Sequence, residues 1–135
     1  MQPKPAPSVK PERVTIHYPV GLYWSAVLLA LVSIAIHLYF GIFVYSGTNM
    51  IPMLGIAAVY LVGAILVVAN VRRTLWLKVG VGWASLLVIL WAAAAFLGNA
   101  HHTMDLLAFA VNGVEVVLIL VLLTLMRYSK VVSST

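Results

Sequence analysis

The stretch VTIHYPVGLYWSAVLLALVSIAIHLYFGIFVYSGTNMIPMLGIAAVYLVGAILVVANV, residues 14–71, contains no Asp, Glu, Lys or Arg. A water-soluble domain cannot leave so long a run uncharged, because its surface needs charge. About 20 apolar residues span a bilayer as a helix, so this run predicts two crossings joined by a short uncharged turn. Outward from it, the hydropathy pattern predicts two more. The expected spans are residues 20–45, 52–71, 75–97 and 103–127. SGTNMIP (46–52) and GNAHHT (98–103) are turns, marked by Gly, Asn and Pro. Pro52 falls in a first helical turn, where its missing N–H costs little. Thr103 reads as an N-cap, with Asp105 at the positive end of the helix dipole.

Composition agrees. Hydrophobic residues make up 64% of the 135 residues and charged ones 8%, which places the chain in the membrane class. Cysteine is absent, which excludes disulfides, thiolate metal sites and thiol chemistry. The predicted fold is an all-α integral membrane protein, a four-transmembrane-helix up-down bundle over residues 20–128. Residues 1–19 form a proline-rich basic tail, with Pro3, Pro5, Pro7 and Pro11 favouring extended conformations. This tail is too polar for a cleavable signal peptide. Residues 129–135 form a second, short tail.

The net charge of +5 reads as topology and not as nucleic-acid binding. Lys4, Lys10 and Arg13 precede the first span, Arg72, Arg73 and Lys78 flank the turn between the second and third, and Arg127 and Lys130 follow the fourth. Cytoplasmic flanks are enriched in Lys and Arg. The expectation is a multi-pass protein of the cell membrane with both termini cytoplasmic. Gly55, Gly63, Gly80, Gly82 and Gly113 are expected to let helices approach closely.

Ionisable groups within a membrane usually face a bundle interior or a cavity. His37 and Glu115 are such groups, and Asn112 lies one turn from Glu115. At about 1.5 Å per residue, His37 lies roughly 12 Å below Tyr45, while Asn112 and Glu115 lie roughly 10 and 15 Å below Asp105. Matched depths predict an intramembrane polar cluster of His37, Asn112 and Glu115. Three readings follow: a hydrogen-bonded clasp between helices, a contact to a partner subunit, or a proton or ligand site. A full proton path is not expected, because the cytoplasmic half offers only Ser25, Ser33, Tyr60 and Asn70. His101, His102 and Asp105 form a candidate outer-face metal site, although adjacent histidines on a regular helix diverge by about 100°. A solvated interfacial turn is the plainer reading. Haem b needs two axial ligands at one depth, and His37 has no such mate in its own chain.

A His-Leu pair (His37-Leu38) in the first span, glycines from Gly55 to Gly63 in the second, the basic Arg72-Arg73, then Glu115 and Arg127 make up a pattern. It resembles small four-helix membrane proteins common in archaeal genomes. From about Gly21 to Arg127 the arrangement also resembles the DoxX-like four-helix proteins, some of which are linked to quinol-oxidising respiratory enzymes. The resemblance implies a place in a respiratory or other electron-transport assembly, and it supplies no catalytic residue. No nucleophile–base pair, phosphate loop or thiolate cluster is present. The leading expectation is a non-catalytic accessory subunit among other integral membrane subunits, with no cofactor. The alternatives are a stand-alone quinone, small-molecule or proton-handling protein using His37 and Glu115, and a haem b electron-transfer subunit.

Overall fold

A computed structural model describes residues 19–97 and 106–131. The described chain is helical: α1 (Val20–Tyr39), α2 (Met50–Val68), α3 (Arg73–Leu97) and α4 (Leu106–Val131). All four are long and apolar enough to cross a membrane. An apolar segment in lipid has no water to satisfy its peptide groups, so it must close its hydrogen bonds internally, and a helix does this. The surface is correspondingly apolar: Leu28, Val62, Ile65, Ile89, Leu90 and Leu120 all point outward. Soluble monomers rarely expose so much contiguous apolar area.

The helices form a ring. α1 packs on α2 and α4, and α3 packs on α4 and α2. The shared core includes Ala26 and Ile34 of α1, Ala57 and Tyr60 of α2, Leu77 of α3, and Leu118, Leu122 and Leu125 of α4. Tyr23, near the start of α1, donates to the Val67 carbonyl near the end of α2. At the opposite ends, Gly41 lies against Leu54 and Met53.

Local chemistry sets the element ends. The α-helix of the first span stops at Tyr39, short of the expected residue 45, and continues as a π turn over Phe40–Val44. Tyr45 N–H closes it on the Phe40 carbonyl at 2.8 Å. Within this turn Gly41 is buried, and a Cβ there would lie 3.0 Å from Leu54 Cδ2 and 3.3 Å from Met53 Cβ. Gly47 then reverses the chain at φ +64°, a conformation natural to glycine. A short 3-10 turn, Gly47–Asn49, leads into α2 at Met50, so Pro52 sits within the first turn.

The end of α2 is a Schellman motif. Val71 N–H bonds to Leu66 O at 3.0 Å and Asn70 N–H to Val67 O at 3.2 Å, with Asn70 left-handed at φ 58°. Arg73 Nε also donates to Val67 O at 3.2 Å, and its guanidinium lies 5.0 Å from the Tyr23 ring centroid. Arg73, expected to end the second span, therefore begins α3 and caps α2. Lys78 and Arg127 are exposed. The fourth helix extends to Val131, so it takes in three residues that the sequence assigns to the tail, Lys130 among them.

The glycines correct one expectation. Only Gly80 of the five meets a neighbour, where a Cβ would lie 3.1 Å from Leu122 Cδ1. Cβ atoms at Gly55, Gly63, Gly82 and Gly113 would meet nothing within 4 Å. Helix–helix approach in this bundle relies instead on Ala26, Ala57 and Ala84, which are buried.

Candidate functional site

Three helices converge on Glu115. The carboxyl is 1% exposed, midway along α4. Ser33 of α1, also 1% exposed, donates its hydroxyl to Oε1 at 2.9 Å. Tyr60 of α2 donates its phenolic hydroxyl to Oε2. Other short polar side chains bond back to their own helix four residues earlier: Ser25 to Gly21 O, Asn112 to Ala108 O and Thr124 to Leu120 O. That back-bonding is the usual resolution for such residues inside a helix. Ser33 departs from it and reaches across to α4, because a buried carboxyl needs every donor within range.

His37 lies one turn along α1 from Ser33. Its Nδ1 is 2.8 Å from the Ser33 carbonyl. A carbonyl only accepts, so Nδ1 carries a proton and donates it to this bond. The imidazole is 7% exposed, with its centroid 6.1 Å from that of Tyr60. Ser33 therefore serves two groups at once, its hydroxyl facing Glu115 and its carbonyl facing His37.

His37, Asn112 and Glu115 line a single cavity of about 360 Å³. Its remaining wall is apolar and aromatic, with Phe40 and Tyr45 from the end of the first span, Met53 of α2 and Trp91 of α3. Trp91 is braced edge-on by Phe109, with centroids 5.1 Å apart. The volume falls within the range of small-molecule sites, which are mostly apolar with a few placed polar groups. A second, smaller cavity of about 70 Å³ lies beyond Tyr60, among Ala26, Gly63, Trp83 and Leu118. Trp83 Nε1 is buried without a hydrogen-bond partner. Tyr60 lines the small cavity and Glu115 the large one, so their hydrogen bond lies between the two.

The sequence-derived cluster of His37, Asn112 and Glu115 thus shares one chamber. The hydrogen bonds that hold Glu115 come from Ser33 and Tyr60, which sequence reasoning treated only as thin relay groups. Their signal was present: Ser33 is one turn from His37 and the two share a helical face. The candidate metal residues His101, His102 and Asp105 lie outside the described residues. Among the described residues no group of three His, Cys, Asp or Glu could hold a metal ion. For haem, His37 offers Nε2 alone, since Nδ1 is engaged with Ser33. Comparison with known proteins finds no matching family model, no matching curated protein and no matching solved structure.

Proposed function

We propose that this chain is an integral membrane protein that binds a small lipophilic molecule in the chamber floored by Glu115. The observation that carries this reading is a 360 Å³ cavity with a buried carboxyl, an imidazole and a carboxamide in an otherwise apolar wall. Intramembrane ionisable groups mark functional sites more often than structural ones. The chamber has contributions from all four helices, so it is a property of the bundle and not of one element. In this reading Glu115 and His37 orient the polar head of the ligand, and Phe40 and Trp91 flank its apolar body. The bundle is up-down in the cell membrane, with both termini cytoplasmic. The one-sided Lys and Arg supports that orientation. Thiol labelling of single cysteines at Thr48 and Asn99 tests it, on a chain with no native cysteine. Both sites should react from outside.

The binding test is direct. Protein purified in mild detergent is extracted and the organic phase analysed by mass spectrometry. A molecule near one equivalent is expected, and it should be lost from Ala108→Phe, which fills the chamber. Absence of any stoichiometric molecule, or equal retention by that variant, refutes the reading.

A second reading, an accessory subunit of a respiratory oxidase-type assembly, draws on a separate observation. Gly55, Gly82 and Gly113 are exposed with open space beside them. Small residues at a membrane helix surface permit close approach of another helix. The DoxX-like resemblance suggests the kind of assembly. Co-purification of other subunits from native membranes, weakened by Gly82→Leu or Gly113→Leu, would favour it.

A further inference from the structure

The polar groups at the floor of the chamber are set around one carboxyl. Glu115 is an acceptor with two of its roughly four lone-pair positions occupied by Ser33 and Tyr60. His37, with Nδ1–H turned to Ser33 O, lines the chamber beside it. Asn112 spends one N–H on Ala108 O at 2.8 Å, which fixes the amide and leaves its second N–H and Oδ1. Among the described residues no Lys or Arg lines the chamber. The two hydrogen-bond partners of Glu115 are neutral hydroxyls, and among the described residues it is the one buried carboxyl. The walls carry Phe40, Tyr45 and Trp91, whose ring faces attract cations.

We propose that the ligand of this chamber is a lipophilic organic ammonium, a protonated amine on an apolar body, whose N–H groups meet Glu115 and His37 and whose charge is flanked by the aromatic walls. This rests on the chamber being a ligand site and adds the class of ligand. A buried charge is tolerated when it is paired and hydrogen-bonded, and an entering ammonium supplies a cation that no Lys or Arg among the described residues brings to the chamber. A benzoquinone offers only acceptors and brings no proton to the Glu115 carboxyl. The volume of about 360 Å³ takes an aryl or short alkyl body.

The full-length protein in discs of zwitterionic lipid, which does not concentrate cations, is titrated with 4-phenylbutylammonium by calorimetry. The neutral isostere 4-phenylbutanol and a short-chain benzoquinone are run in parallel. Saturable one-to-one binding of the ammonium is expected, with the alcohol at least tenfold weaker. Glu115→Gln, which keeps the shape and acceptor of the side chain, should weaken the ammonium at least tenfold and leave the alcohol unchanged. The wild-type comparison of ammonium with alcohol stands even if that variant fails to fold. Alcohol or quinone binding as tightly as the ammonium, with loss in Ala108→Phe, overturns the cation inference and leaves the chamber as a ligand site. Undiminished ammonium binding in Glu115→Gln overturns the inference as well. Failure of all three probes to saturate overturns both readings.

Discussion

Tyr60→Phe deletes one oxygen and nothing else. The ring of Tyr60 is 6% exposed and packed in the core, and phenylalanine fills the same volume, so no cavity opens. What is lost is the hydroxyl that donates to Glu115 Oε2. Glu115 is 1% exposed, so the abandoned oxygen finds no bulk water, and Ser33 is already committed to Oε1. A hydrogen bond to a charged group contributes about 1.5–3 kcal/mol in soluble proteins. Between membrane helices the measured values average about 0.6 and reach about 1.7 kcal/mol, because the unfolded reference in the bilayer also finds partners. The complete burial of this bond places Tyr60→Phe near the top of the membrane range, about 1–2 kcal/mol. Unfolding by increasing detergent denaturant in mixed micelles, followed by tryptophan fluorescence, measures it. The decisive arm is the same substitution in a Glu115→Leu background. With the acceptor gone, Tyr60→Phe should cost no more than about 0.5 kcal/mol, the usual limit for uncoupled sites. If it costs as much there as in the wild type, the bond to Glu115 is not what Tyr60 contributes. The triple variant Ser33→Ala, Tyr60→Phe, Glu115→Leu should be more stable than Tyr60→Phe alone, since an apolar set leaves no polar group unmated.

Gly41→Ala should destabilise by about 1–3 kcal/mol, the range for overpacking, because its Cβ meets the stiff Met53 Cβ at 3.3 Å as well as Leu54. Gly82→Ala, with nothing within 4 Å, should leave the isolated bundle unchanged or stabilise it by up to about 1 kcal/mol through helix propensity, read by the same unfolding assay. Asn70→Gly should fold normally while Asn70→Val loses about 1–2 kcal/mol, because φ 58° closes the Schellman motif. Arg73→Gln should lower the melting temperature, because it removes a cation from the C-terminal carbonyls of α2 and from the Tyr23 ring; Lys78→Gln, exposed on α3, should not.

The helices were legible because span length and turn residues are one-dimensional properties. Apolar runs near 20 residues, broken by SGTN and by ANVRR, place the four spans within a few residues. Helix rotation was not legible in the same way. Large apolar side chains cover most of each circumference, so no stripe says which face turns inward. Only polar residues break that symmetry, which is why Glu115 and His37 were visible as site candidates. Depth was harder to read across the π turn. Phe40–Val44 closes on i→i+5 bonds, a wider turn that rises less per residue than the α-helix assumed in counting inward from Tyr45. His37 is therefore shallower than that count implies. The α1 residue that bonds to Glu115 is Ser33, one turn deeper. Tyr60 was hidden for a different reason: a tyrosine in a hydrophobic span reads equally well as an interfacial anchor, and only its packing against α4 shows what its hydroxyl does.

The two hydroxyls and the carboxyl they serve also impose an order of events on biosynthesis. Chains are made N-terminus first, so Ser33 and Tyr60 are made before Glu115 has been translated. Until α4 arrives, the first two helices hold donors with no cross-helix acceptor, and α3 brings none to them, since the mate of both is on the last helix. Completion of the bundle is thus signalled by a chemical change inside the membrane and not merely by the addition of apolar mass. A nascent chain halted before α4 presents unmated hydroxyls that the finished protein conceals.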